Sequence, residues 1–254
     1  MSKAQRVERD GRDNCRLAVR FVGILATALL ASAVGAETPL DFLNRAAEAT
    51  CPGGGLDTLQ SLRLAGKVEY SGGDSAYNTM VLSFGGDRTK LWQNHEVPSG
   101  QSFLRILGEE DGFVSGIGRI QADLQGDLEN YIHLRFPVIL RQRSALQLTA
   151  AGTTEVDGHA VTLIRVTRSK GEILLGVDSE SSLVRMIEYP FDDKTENQRG
   201  MLRRVYQDFR AVNGCTLPFR QHSTVDGELY SVWYLDTVVL NEELDPGLFS
   251  IPTK

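Results

Sequence analysis

The sequence predicts a mainly β protein: a sandwich or barrel of about ten or eleven antiparallel strands, mostly meandering, with one helix ahead of the sheet and one in its middle. Three observations predict it. Short runs of alternating apolar and polar residues recur along the chain. Glycine, Asn-Gly and Asp-Gly turn signals separate them about every 8 to 12 residues. Only two stretches change to a repeat of three or four residues, the period of a helix. No repeat of fixed length and no low-complexity segment is present.

The 254 residues open on an export signal. Arg16 and Arg20 precede the apolar run from Phe21 to Leu30, and Val34-Gly35-Ala36 fits the small-x-small cleavage rule. The run is shorter than the ~20 residues of a membrane span. A signal peptide over residues 1–36 and a single domain over 37–254 are therefore expected. No cysteine directly follows the run, so a lipid-anchored end is not expected, and Cys15 leaves with the leader. The formal charge is −6 overall, and the leader holds six basic and three acidic residues, so the remainder stands near −9. Such acidity disfavours nucleic acid and bare anionic head groups at the surface as partners. Two cysteines remain, Cys51 and Cys215. In an oxidising compartment they are expected to pair, the other reading being two unpaired, half-buried thiols.

Along the exported chain, Thr38-Pro39-Leu40-Asp41 opens a helix: Thr38 caps, Pro39 suits the first turn and Asp41 completes a capping box. Phe42, Leu43, Ala46, Ala47 and Ala49 give its apolar stripe, and Pro52 with Gly53 to Gly55 ends it. Leu62, Leu64, Val68 and Tyr70 then alternate with Arg63, Lys67 and Glu69 as a half-buried strand. Strands follow at 80–84, 89–93, 103–107 and 113–115, split by glycine turns. From Arg119 to Arg135 the period lengthens, with Ile120, Leu124, Leu128, Tyr131 and Ile132 on one face of a helix. Pro137 is expected to break it, leaving Val138 to Leu140 as a bare apolar patch. Strands resume at 146–151, 160–167, 172–177 and 183–189, and Phe191 to Gly200 reads as a polar loop.

The stretch from Tyr206 to Pro252 is the most specific. It reads as three short strands joined by Asn213-Gly214 and Asp226-Gly227 turns, then Asn241 and an acidic turn ending in Leu248-Phe249-x-x-Pro252. Tyr206-x-x-Phe209-Arg210 with Leu217-Pro218-Phe219, the Asn241–Pro252 closure, and Leu174-Leu175-x-x-Asp178 followed by Leu183-Val184-Arg185 together resemble the LolA/LolB-type periplasmic lipoprotein-sorting carriers. The resemblance implies an incomplete barrel: a half-open, strongly curved antiparallel sheet of about eleven strands, with helices covering its concave face. It further implies a periplasmic carrier whose concave face holds lipid or lipoprotein acyl chains. The same fold also serves periplasmic stress regulators, so a module that binds a membrane protein through that face is the alternative. Arg63 and Arg105, in early strands, are candidates for the carriers' working arginine.

A lipid carrier needs apolar area rather than reactive groups. Each buried methylene is worth about 0.8 kcal/mol, so the candidates are aliphatic and aromatic: Leu82, Phe84, Leu91, Trp92, Phe103, Ile106, Phe136, Val138, Ile139, Met186, Trp233 and Tyr234. Each also reads as ordinary core beneath a helix. Phe136 to Leu140 is the candidate lid. No cofactor is called for. The four histidines are scattered, with no metal-ligand spacing, and no nucleophile elbow, phosphate loop or zinc-protease helix is present. Glu109-Glu110-Asp111 and Asp192-Asp193 read as solvated turns. Binding without catalysis is the expectation, and an exported hydrolase the remoter alternative.

Overall fold

In a computed structural model of the chain, residues 37–252 are described except 86–87, 121, 169–170 and 194–197. The export signal and Cys15 lie outside the described residues. Helix α1 (Pro39–Thr50) carries the expected capping box, with the Thr38 hydroxyl accepting from the Asp41 N–H and the Asp41 carboxylate accepting from the Thr38 N–H. It buries Leu43, Ala46, Ala47 and Thr50. Of the expected stripe, Leu43, Ala46 and Ala47 are buried and Phe42 and Ala49 half-buried, Phe42 packing against the core with the Arg45 guanidinium 4.6 Å from its ring centroid.

Thirteen antiparallel strands form one sheet: β1 (Ser61–Tyr70), β2 (Ser75–Ser83), β3 (Lys90–Glu96), β4 (Ser102–Leu107), β5 (Gly112–Val114), β6 (Gly118–Ile120), β7 (Gln147–Val156), β8 (His159–Arg168), β9 (Gly171–Asp178), β10 (Val184–Asp193), β11 (Gln198–Val212), β12 (Cys215–Val225) and β13 (Glu228–Leu240). The order is β6-β5-β4-β3-β2-β1-β13-β12-β11-β10-β9-β8-β7, two meanders joined at the β1–β13 seam. Helices α2 (Ala122–His133) and α3 (Phe136–Arg141) therefore run between strands at opposite edges. Twelve interstrand steps of a flat sheet would separate those edges by about 58 Å. The connection, mostly helical, reaches at most about 50 Å. The sheet must curl to bring its edges within reach, and the helices must cross its concave side. No β6–β7 pairing occurs among the described strands, so the barrel stays open.

The main core fills the space between that concave face and the helices, with Leu43 of α1, Ile132 of α2 and Val138, Ile139 and Leu140 of α3 against Leu62, Leu82, Leu91, Leu175 and Leu202 of the sheet. A small second cluster, Val156, Val161 and Met186, lies on the other face.

Several local readings are corrected. The helix ends as expected ahead of Pro137, at His133, but the chain turns helical again at once, with Pro137 in the first turn of α3, where a missing N–H costs nothing. The apolar patch is thus a buried helix. The first residues of the expected middle helix form β6 instead, with Ile120 paired to Gly112. Of the polar stretch from Phe191 to Gly200, the described residues 191–193 and 198–200 are strand, where Asp192 pairs with Arg199 across the ladder and accepts from its Nε at 2.9 Å. The three C-terminal strands are long, 15, 11 and 13 residues, and their Asn-Gly and Asp-Gly turns fall where expected.

The β9–β10 turn has a testable electrostatic anchor. Asp178 accepts from the N–H groups of Glu180 and Ser181 at 2.9 and 3.0 Å and from Arg185 Nε at 2.9 Å, with His159 Nδ1 at 3.0 Å. Burial pushes its carboxyl up, but the Ser181 N–H, Arg185 and the Glu180 N–H outweigh it and hold the pKa at about 2, below the ordinary aspartate value. The folded state thus binds this proton less readily than the unfolded chain. The stabilisation, about 2 kcal/mol, is complete above the unfolded pKa and is lost as the pH falls through about 2. Asp178→Asn is expected to remove that amount at neutral pH and to flatten the acid limb. Urea unfolding of both proteins at pH 6 and pH 2.5 checks it; equal acid sensitivity would rule the anchor out.

Candidate functional site

The register decides which side chains meet. Leu62 pairs with Leu82, and Leu82 with Leu91, so these three share the concave face, as do Leu64, Met80 and Gln93 one step along. A bulge after Ala65 keeps Leu235 and Trp233 on that face in β13. On the other half, Leu202 pairs with Val225 and Tyr206 with Gln221.

Between this face and the start of α3 lies a narrow, nearly filled cleft with room for about 20 Å³, roughly one water molecule. Its sheet wall is Leu62, Leu64, Leu82, Leu217 and Leu235; its helical wall is Arg135, Phe136 and Pro137. Phe136 stacks edge-on against Tyr206, centroids 4.9 Å apart. That is far below the size of a ligand site, so any ligand enters only as Phe136 and Pro137 move off the sheet.

Of the twelve side chains chosen from sequence, Leu82 and Phe136 line the cleft. Phe84, Leu91, Val138, Ile139 and Trp233 lie in the core around it. Phe103, opposite His95 on the inner register, is 50% exposed. The other four stand on the opposite face. Trp92 and Ile106 are in register with Val81, Met186 joins the outer cluster, and Tyr234 pairs with Lys67 and stacks under Arg220. Adjacent strand residues cannot both face inward, so Leu91 with Trp92 and Trp233 with Tyr234 were mutually exclusive choices.

Of the two candidate arginines, Arg63 faces outward and is clamped by Glu242 at 2.6 and 3.1 Å. Arg105 is paired with Gln93 and reaches to 6.0 Å from the Tyr131 ring of α2.

Sequence reasoning missed a latch and a polar lining. At the end of α3, Arg141 Nη1 donates to the carbonyls of Leu56, Asp57 and Leu59 at 3.0, 2.7 and 2.8 Å, with its guanidinium over Phe84. Arg143 forks onto Asp57 at 2.7 and 2.9 Å and reaches Asn44 of α1 at 2.8 Å. The Arg143 hydrogen bond holds the Asp57 carboxyl below its ordinary value. One end of the helical cover is thus fastened to the segment after α1. The polar lining of the cleft is Arg135, Tyr206 and Gln221, and Arg204, Tyr189, Gln93 and Asn78 are further buried polar side chains of the sheet. Arg204 stands between Leu202 and Tyr206 in a strand alternation, a cation on the apolar face, and that was its only sequence signal.

Cys51, at the end of α1, is bonded to Cys215, the first residue of β12, with an S–S distance of 2.11 Å. This fixes α1 to the sheet. No cluster of three metal-ligating side chains occurs among the described residues.

The architecture has solved counterparts. A DUF1329 family protein from Desulfovibrio piger superposes with a TM-score of 0.57 at 13% identity, covering 84% of this chain and 98% of that one. A LolA superfamily protein from Nitrosomonas europaea gives 0.53 at 14%, covering 84% and 97%. A putative outer membrane lipoprotein-sorting protein domain from Vibrio parahaemolyticus gives 0.52 at 11%, covering 82% and 95%. At such identities the likeness is one of fold, and the fold is the LolA-like open barrel. No protein-family model and no curated protein matches the sequence.

Proposed function

We propose that this chain is an exported, periplasmic binding protein for a hydrophobic ligand, taking lipid or lipoprotein acyl chains between its concave sheet and the α2–α3 cover. The observation that carries the reading is the aliphatic cleft under a helical cover that is fastened at one end by hydrogen bonds rather than by the chain's covalent staple. The LolA-like fold supports it, since solved proteins of that shape include a putative lipoprotein-sorting domain. A single acyl chain lying on Leu62, Leu64, Leu82, Leu217 and Leu235 would gain on the order of 10 kcal/mol before costs. Part of that gain is spent on displacing Phe136 and Pro137 from the same wall. Chemistry is not required of any residue in this reading.

The latch supplies the test. Arg141→Met keeps the aliphatic stem and removes the donors to three carbonyls. A charged hydrogen-bond set of this kind is worth about 2 kcal/mol net. The variant is expected to take up Nile red, a neutral dye that brightens in apolar surroundings, at least about tenfold faster than the parent. Palmitate or a lipopeptide should then displace the dye. If neither protein binds the dye, or acyl chains fail to displace it, the acyl-binding reading fails.

A further inference from the structure

Two buried arginines lie beside the cleft with no carboxylate partner among the described residues. Arg135, 7% exposed, sits at the α2–α3 junction and lines the cleft, its guanidinium 4.4 Å from the Tyr131 ring centroid. Its Nε donates to nothing. Arg204, 8% exposed, stands on β11 two residues before Tyr206, a cleft-lining side chain. Among the described residues its bonds are to uncharged oxygens, Nε to Ser223 Oγ at 3.3 Å, Nη2 to Tyr189 Oη at 3.4 Å and a further bond to the Tyr206 phenol, and its Nη1 has no partner. Neither arginine forms an ion pair among the described residues. Their neighbours are phenols: Tyr131 and Tyr206 each feel both guanidinium groups.

Buried charges are ordinarily paired, because a desolvated cation with unmet donors is costly. Phenol oxygens and ring faces ease that cost without neutralising it. Guanidinium groups suit planar or multi-oxygen anions, which can accept several N–H bonds at once. An apolar cleft lined by one such group, Arg135, with a second, Arg204, two residues from its Tyr206 wall, matches an amphiphile of opposite charge at its head. The geometry points to a preference for acyl ligands with an anionic head, a carboxylate or a phosphate, seated at Arg135 and Arg204 with the chain along the cleft. This rests on the acyl-binding reading above and narrows it. The acidic exterior is consistent with it: the surface repels an anionic bilayer, while the enclosed pair accepts a single anionic head.

Displacement of Nile red from the full exported chain tests the preference, with every competitor kept below its micelle concentration. Palmitate is compared with hexadecanol, and lysophosphatidylglycerol with lysophosphatidylcholine of the same chain. The anionic member of at least one pair should compete at concentrations at least about tenfold lower. A preference confined to palmitate identifies the head as a carboxylate; one confined to lysophosphatidylglycerol identifies a phosphate. Arg135→Gln and Arg204→Gln should each erode the preference, read as the ratio of anionic to neutral competitor within each variant, while Arg204→Lys retains part of it. Should Arg204→Gln fail to fold, as judged by circular dichroism, Arg135→Gln carries the test from the helix junction. Equal displacement by neutral and anionic competitors, or a preference that survives in Arg135→Gln, overturns the inference while leaving acyl binding intact. Absence of any dye binding overturns both.

Discussion

Reducing the Cys51–Cys215 bond is expected to lower the stability of the folded protein by up to about 5 kcal/mol. The bond joins residues 164 apart in sequence. In the chain-entropy account, a cross-link stabilises by removing conformations from the unfolded ensemble, and the effect grows with the logarithm of the loop. A loop of this size sits near the top of the usual range, and the figure is an upper one because unfolded chains keep some structure. Both cysteines are buried, at 2% and 7% exposure, so replacement should be paired and apolar: Cys51→Ala with Cys215→Ala. Urea unfolding of oxidised, reduced and doubly substituted protein measures the effect. A difference below about 1 kcal/mol would show that the bond constrains little.

The same bond bears on which element moves. It joins the end of α1 to the start of β12 and holds that helix on the sheet by a covalent bond, whereas α3 is held by core packing and by the hydrogen bonds of Arg141 and Arg143. Reduction should therefore lower global stability without speeding dye uptake at denaturant concentrations below the unfolding transition. The Arg141→Met variant should do the reverse: a modest loss of stability and a large gain in uptake rate.

The strands were legible in the sequence because each half-buried strand writes its burial as alternation. The run 61–70 shows it, with Leu62, Leu64 and Val68 inward and Arg63 and Lys67 outward. The C-terminal turns were legible because Asn213 and Asp226 adopt positive φ, which Asn-Gly and Asp-Gly tolerate. The stretch after Pro137 was misread because the ring that ends one helix also suits the first turn of the next. The site was less legible than the fold. Hydrophobicity picks out apolar side chains on both faces of a strand, and at Trp92, Ile106, Met186 and Tyr234 only the register could tell them apart. Arg141 was invisible because its acceptors are backbone carbonyls some 80 residues earlier, and carbonyls carry no sequence signature.

Gly66→Ala is expected to cost at least about 4 kcal/mol, at the upper end for a single substitution. Gly66 lies in the middle of β1, where a glycine should weaken a strand. The bulge explains its presence. Between Ala65 and Gly66 the register with β13 slips, so Ala65 faces Thr237 while Gly66 faces Leu235, and Asp236 is left over. The β13 backbone crowds inward there. A Cβ on Gly66 would stand 1.9 Å from the Tyr234 carbonyl oxygen, 2.7 Å from the Leu235 Cα and 2.9 Å from the Tyr234 carbonyl carbon. All three are main-chain atoms, so no rotamer change relieves the clash. The carbonyl of Gly66 also accepts the Trp233 indole N–H at 3.3 Å, and displacement of β1 would strip that buried donor of its partner. The position is critical for a topological reason as well. The β1–β13 pairing is the only seam joining the two six- and seven-strand meanders, and the cleft has walls on both sides of it, with Leu62 and Leu82 on one and Leu217 and Leu235 on the other. Forcing the strands apart should therefore lower the urea midpoint and weaken dye binding together. Gly66→Ala with stability within about 1 kcal/mol of the parent would mean that the bulge is soft and the seam does not set the shape of the cleft.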